Sequence, residues 1–215
     1  MIKYLLFDLD GTITDPFLGI TKAVAYSLNS FDIRINGLDE LTVFIGPPLD
    51  ESFQKYYGMN EEKSWQAVEK YREYYSQIGL FENEVYEGME DFLKSLIDSG
   101  KDLYICTSKP YIFAKKIIEH FGLTKYFKGI YGAELDGTRK NKKDVIAYCL
   151  QQERLNVDDC LMVGDRKHDV IGAHLNRIQC VGVLYGYGSK EEFENNDCEY
   201  IAKNLKELKE VIENV

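Results

Sequence analysis

A chain of 215 residues is long enough for one sizeable core, or for a core carrying a smaller inserted unit. Its composition is ordinary for a globular protein, 45% hydrophobic and 29% charged, but a formal net charge of −10 repels phosphate backbones and disfavours nucleic-acid binding. The apolar runs are only a few residues long, against the roughly 20 that a membrane-crossing helix needs, so no membrane association is expected.

The opening residues, Met1-Ile2-Lys3-Tyr4-Leu5-Leu6-Phe7-Asp8, form a short apolar run broken by an aspartate. They do not fit a signal peptide. Instead, residues 4–7 have the look of a buried strand entering a polar loop, Asp8-Leu9-Asp10-Gly11-Thr12. From about residue 15 to 81 no convincing strand pattern follows. Ile20, Ala23, Val24, Ser27, Leu28 and Phe31 recur at helical spacing, and further helices are expected over residues 50–57 and 61–77. This stretch, rich in tyrosine and phenylalanine, reads as a small helical insertion. Its aromatics, among them Tyr56, Tyr57, Trp65, Tyr71, Tyr74 and Tyr75, suit packing better than base stacking.

Beyond it, strand and helix alternate. Met89, Phe92, Leu93, Leu96 and Ile97 make a helical stripe stopped by Gly100, and residues 103–106 a strand ending in Thr107-Ser108. Phe113, Ile117 and Phe121 form the next stripe, residues 129–132 a weaker strand, and Val145, Ile146, Cys149 and Leu150 another helix. Residues 161–163 run into Gly164-Asp165, and residues 180–184 into a Gly-rich stretch that does not match GxGxxG and reads as a loop. Leu205, Leu208, Val211 and Ile212 close the series after an Asn204 cap. Such alternation predicts an α/β fold, a doubly wound parallel sheet covered on both faces, built from residues 1–14 and 82–215, with residues 15–81 as an all-helical cap.

Ligands of open parallel sheets bind beyond the carboxyl ends of the strands. Those ends carry Asp8 and Asp10, Thr107 and Ser108, and then Asp165 and Asp169. Four converging carboxylates repel one another unless a hard divalent cation joins them, and carboxylates without His or Cys suit Mg²⁺. Such a site fits phosphoryl transfer: a nucleophilic aspartate, a second aspartate as acid and base, and hydroxyls and a lysine on the transferring oxygens. Thr107 and Ser108 fit either phosphate binding or capping of the following helix, and the two roles are compatible. The lysine comes from the cluster Lys140, Lys142 and Lys143, and spacing alone does not choose among them.

These residues resemble a known family. Asp8-Leu9-Asp10-Gly11-Thr12 looks like the DxDGT signature of the haloacid dehalogenase-like hydrolases. Thr107-Ser108, Lys142 and Gly164-Asp165-Arg166-Lys167-His168-Asp169 (GDxxxD) match the family's later motifs in order and spacing. Arg166 departs from the Ser or Thr of many relatives. The resemblance is greatest to phosphoglycolate phosphatases and related 5′-nucleotidase-like phosphatases, and it implies a Rossmann-like core with a cap that closes over the site during the first chemical step. It makes Asp8 the nucleophile and a metal ligand, and Asp10 the acid/base, with its backbone carbonyl on the metal. Thr107, Ser108 and Lys142 would bind phosphate, Lys142 also balancing charge. Asp165 would ligate Mg²⁺, and Asp169 would support the metal or Lys142. The second aspartate, absent from the family's dehalogenases, favours phosphate esters. Gly46-Pro47-Pro48-Leu49 resembles the family's substrate-contacting cap loop, or is a rigid turn.

The expected activity is therefore Mg²⁺-dependent hydrolysis of a small phosphorylated metabolite, phosphoglycolate or a nucleoside monophosphate, through a phospho-aspartate. A sugar phosphomutase on the same scaffold, or a phospho-aspartate signalling domain, are the alternatives. A C-x5-R pattern, Cys160 to Arg166, is set aside because its intervening Leu-Met-Val reads as a buried strand. The five cysteines are scattered without a CxxC pair, which suggests free thiols and a cytoplasmic protein.

Overall fold

The computed structural model describes residues 2–215. In chain order the strands and helices begin with β1 (Tyr4–Phe7), β2 (Thr14–Asp15), α1 (Phe17–Asn29), α2 (Leu49–Tyr57), α3 (Glu61–Tyr75) and β3 (Glu84–Val85). Then come α4 (Met89–Asp98), β4 (Asp102–Pro110), α5 (Tyr111–His120), β5 (Gly129–Ala133) and α6 (Lys142–Glu153). The chain ends with β6 (Cys160–Gly164), α7 (Lys167–Leu175), β7 (Gln179–Val183), α8 (Lys190–Glu194), β8 (Tyr200–Ala202) and α9 (Leu205–Asn214). It divides into two units, one formed by the residues up to Asp15 together with Val85–Val215, the other by Pro16–Glu84.

The larger unit is built on a six-stranded sheet in the order β5-β4-β1-β6-β7-β8, with every adjacent pair parallel. Its central strands are apolar throughout because both faces are covered: Leu5, Leu6 and Phe7 of β1 and Leu161, Met162 and Val163 of β6 are fully buried. Alternation along β1 assigns the faces. Leu6 joins Met162, Val145, Ile146, Val170 and Ala173 in one core layer, under α6 and α7. Phe7 points the other way and meets Phe92 of α4 edge-on, with ring centroids 6.4 Å apart.

Register fixes what emerges at the edge. Phe7 lies opposite Ile105 on one side and Val163 on the other. Just beyond this level lie Asp8 after β1, Cys106 and Thr107 within β4, and Gly164 at the end of β6 followed by Asp165. β8 escapes sequence prediction because it is only three residues long, Tyr-Ile-Ala, and half-buried at the end of the strand order. β4 runs on through Pro110, past the expected end at residue 106.

The smaller unit is helical. Ile20, Ala23, Val24, Ser27 and Leu28 form the buried stripe of α1, and the Ser27 hydroxyl donates to the Ala67 carbonyl of α3 at 2.7 Å. α1 ends at Asn29, short of Phe31. α3 starts at an Asn60 cap, whose side chain accepts the Lys63 N–H at 2.9 Å, with Glu61 and Glu62 favourable in its first turn. Tyr71 and Tyr75 stack at 5.0 Å, and Phe44 and Phe53 pack at 4.9 Å, so these aromatics serve the core. Among the described residues no helix is long and apolar enough to cross a membrane.

Leu6 has no exposed surface and sits in a central strand, where the backbone cannot collapse around a deletion. Leu6→Ala is expected to destabilise the protein by about 2–5 kcal/mol, lowering the urea midpoint followed by far-UV circular dichroism while leaving the slope unchanged. A loss below about 0.5 kcal/mol, the range of surface substitutions, would contradict the packing described.

Candidate active site

Asp8 is the first residue beyond β1. Its N–H donates to the Val163 carbonyl at 2.9 Å, which continues the sheet by one rung and fixes where its carboxylate begins. The chain then turns sharply: the N–H groups of Thr12, Ile13 and Thr14 all point at the Leu9 carbonyl, at 3.2, 2.9 and 3.1 Å. Gly11 makes this turn possible. Its φ is +78°, and a Cβ there would stand 2.0 Å from Asp165 Oδ2.

Four carboxylates and two ammonium groups are buried at this edge. Lys142, at the start of α6, is 4% exposed and uses all three of its donors: Asp8 Oδ1 at 2.8 Å, Asp169 Oδ1 at 2.8 Å and the Cys106 carbonyl at 3.0 Å. The structure thus selects Lys142 from the lysine cluster, while Lys143 beside it is exposed. Lys109 holds the other aspartate, its Nζ lying 2.8 Å from Asp10 Oδ2. Asp169 is fixed from behind by a capping box at the start of α7, its Oδ2 accepting the Arg166 N–H at 3.0 Å. The Arg166 side chain turns to Glu192, Nε to Oε1 at 3.1 Å.

Asp8, Asp165 and Asp169 each offer a carboxylate oxygen within 4.8 Å of the others. Asp10 is outside this group of side chains, being turned to Lys109. Ionised together, the four carboxylates exceed Lys142 and Lys109 by two negative charges, and Asp165 Oδ1 and Asp10 Oδ1 have no hydrogen-bond partner among the described residues. Titration reflects this imbalance. Burial, then the charges of Asp169 and Asp8, push the Asp165 carboxyl well above the usual range. Burial and the Asp8 charge lift Asp169 to about 6, with Lys142 opposing. Burial also raises Asp10, and Lys109 opposes it. Burial pulls the Lys142 ammonium down, but Asp169 and Asp8 outweigh it and hold it above the ordinary lysine value. An all-oxygen donor set with two uncompensated charges and an unpartnered carboxylate oxygen fits a hard divalent cation.

The sequence-predicted residues Asp8, Lys142, Asp165 and Asp169 are therefore in mutual contact or close to it. Thr107 is buried at the same edge, and its Oγ1 accepts the N–H of Lys109 at 3.2 Å; Ser108 is half-buried. Neither hydroxyl caps α5, whose N-cap is Pro110. Lys109 was not predicted. It belongs to β4, which extends through Pro110 with an irregularity in register between Cys106 and Pro110. Cys160, by contrast, starts β6 at the end away from Asp165; burial pushes its thiol up to about 12, and its Sγ donates to the Asn156 carbonyl.

A protein-family model described as haloacid dehalogenase-like hydrolase matches residues 5–183. The chain is 44% identical over 209 residues to a 5′-nucleotidase of Pseudomonas aeruginosa, covering 97% of this chain and 95% of that protein. It is 35% identical to the tyrosine-protein kinase PtkA of Mycobacterium tuberculosis, covering 98% of this chain and 72% of PtkA. A crystal structure of a predicted phosphatase from Clostridium acetobutylicum superposes with a TM-score of 0.99 at 47% identity, over 100% of both chains. On the family match, these relatives and the shared architecture, the chain belongs to the haloacid dehalogenase-like hydrolase family, as a phosphatase.

Proposed function

We propose that the chain is a magnesium-dependent phosphatase that hydrolyses nucleoside monophosphates through a phosphorylated Asp8. One observation carries this: Asp8 is held by Lys142 beside Asp165 and Asp169, while Asp10, two residues on, is held apart by Lys109. The nucleoside monophosphate, in preference to phosphoglycolate, is supported by the 44% identity to a 5′-nucleotidase over nearly the whole of both chains. The five free cysteines support a cytoplasmic setting.

Asp8 Oδ1 accepts both the Leu9 N–H and the Lys142 ammonium, which orients the carboxylate and leaves its other oxygen to attack phosphorus. As the new oxygen–phosphorus bond forms, the bond to the leaving nucleoside oxygen breaks, and Asp10 gives that oxygen its proton. The raised affinity of Asp10 for a proton, caused by burial, suits the donor. In the second step water attacks phospho-Asp8, Asp10 takes the water proton, and the phosphate leaves with the bond to Asp8 broken. Thr107 and Ser108 donate to the transferring oxygens, and Lys142 balances the charge between Asp8 and the phosphate. Asp8, Asp165 and Asp169 would hold Mg²⁺ together with the Asp10 backbone carbonyl, and when bound it neutralises the phosphate that an anionic Asp8 must approach.

Asp8→Asn is expected to reduce release of inorganic phosphate from nucleoside monophosphates by about 10³-fold or more, as loss of a covalent nucleophile does. Undiminished activity would remove Asp8 from the mechanism, and faster turnover of phosphoglycolate would change the substrate. Lys109→Met should lower kcat by about 10–100-fold, the lower part of the range for a positioned acid, with KM little changed and a shifted pH profile. An altered KM alone would place Lys109 in substrate binding.

Lys142→Met leaves Asp8 and Asp169 buried without their shared cation, an expected loss of about 3–5 kcal/mol in metal-free protein. Asp169 already binds its proton more tightly folded than unfolded. Its stabilising contribution is full below the unfolded value and lost as pH rises through the folded value of about 6. Without Lys142 the proton is held tighter still, so the penalty should be smaller at low pH than at high pH. Urea denaturation in chelator at both ends of that range checks it, and an equal penalty would dismiss the charge-balancing role.

A further inference from the structure

The Gly-rich stretch after β7 does more than connect elements. The Tyr187 N–H donates to Asp165 Oδ2 at 2.8 Å. Two phenol groups tie the same loop to the segment that follows Asp8 and Asp10: the Tyr185 hydroxyl donates to the Thr12 carbonyl at 3.1 Å, and the Tyr187 hydroxyl to Asp15 Oδ1. Tyr86 packs edge-on against Tyr185 with ring centroids 5.0 Å apart. Gly186 lies in the gap between the two acidic loops, where an added Cβ would stand 2.2 Å from the Gly11 carbonyl oxygen and 2.4 Å from Asp165 Cβ. The loop therefore occupies one oxygen of Asp165 and leaves the other, buried Oδ1, without a hydrogen-bond partner among the described residues.

We infer that the loop carrying Gly186 and Tyr187 is a positioning device for the cation site, holding Asp165 as a ligand through Oδ1 alone and so favouring Mg²⁺ over Ca²⁺. The inference rests on the magnesium reading above. Mg²⁺ demands near-octahedral geometry and takes carboxylates one oxygen at a time, whereas the larger Ca²⁺ accepts both oxygens of one carboxylate and a looser shell. A backbone N–H on Oδ2 opposes two-oxygen binding, because a cation there would have to displace it. The two phenol anchors keep that N–H in place: the loop cannot drift from Asp165 without breaking from Thr12 and Asp15. Groups that orient metal ligands in this way typically influence metal affinity by 10–100-fold.

Titration calorimetry of Mg²⁺, and separately Ca²⁺, into the metal-stripped full chain tests this with no substrate present. Tyr187→Phe removes the Asp15 anchor, and Gly186→Ala forces the loop from Asp165. The Mg²⁺ dissociation constant should rise about threefold in the first and about tenfold or more in the second, within the usual effect of ligand-orienting groups. The preference for Mg²⁺ over Ca²⁺ should fall in both, while the metal-free melting temperature of Tyr187→Phe stays near that of the parent. Unchanged Mg²⁺ affinity and unchanged Mg²⁺/Ca²⁺ preference would overturn the inference, as would a lowered melting temperature with the preference intact. Should Gly186→Ala fail to fold, Tyr187→Phe decides alone. Failure of the parent chain to bind Mg²⁺ would overturn the magnesium reading and this inference together; binding by the parent with equal binding by the variants would overturn only the loop's role.

Discussion

A buried ammonium that spends all three of its hydrogens holds the site together. Lys142 bonds Asp8, Asp169 and the Cys106 carbonyl at once, joining the residue that follows β1, the middle of β4 and the first turn of α7. Removing a lysine from water is unfavourable, and here the opposing attraction of two carboxylates is the larger effect, which is why its proton is held above the ordinary value. Asp8 and Asp169 have Lys142 between them, whereas Asp165 has no cationic side-chain partner at that distance among the described residues, and burial with the charges of Asp169 and Asp8 pushes its carboxyl well above the usual range. The deficit of positive charge therefore lies beside Asp165.

Backbone geometry brings these groups together before any side chain is considered. Adjacent parallel strands in matched register bring the ends of their apolar runs to one level, so the first polar residue after each run reaches the same edge. The apolar runs are thus responsible for more than the core. A shift of β6 against β1 by one residue would turn its side chains to the opposite faces, and would move Asp165 away from Asp8. The edge that carries the candidate site and the packed interior are specified by the same contacts, Leu5, Leu6 and Phe7 against Leu161, Met162 and Val163.

What the sequence discloses follows from this. Strands buried on both faces announce themselves as apolar runs, and the acids that end them, Asp8 and Asp165, could be found directly. β8 is too short and too exposed to stand out, and α7 lacks a clean apolar stripe, with Ile171 and Leu175 exposed and Gly172 pressed against Lys142. Lys142 could be narrowed only to a cluster, because choosing among neighbours needs the phase of α6 relative to the sheet. Lys109 was hidden by an underestimated strand length. The loop at Tyr187 was least legible of all: it acts through a backbone N–H, which every non-proline residue possesses, on a carboxylate brought near only by the fold.

On the proposed mechanism, Asp8 and Asp10 give one residue type two duties. They lie two positions apart, both buried, and differ chiefly in which lysine each meets. Lys142 is shared with Asp169, so Asp8 lies in a field set by several acids and best relieved by additional positive charge. Lys109 is an ion-pair partner for Asp10, and the remaining oxygen of Asp10 is left without a hydrogen bond. A carboxylate crowded with other acids around a cation is suited to attack phosphorus, and a buried carboxyl with one oxygen held and the other open is suited to pass a proton back and forth. Separating two acids into distinct environments is how a site obtains opposite chemistry from identical groups. Here the separation comes where β1 ends: Asp8 makes the last rung of the sheet, and the tight turn that begins at Leu9 leaves Asp10 with a different partner.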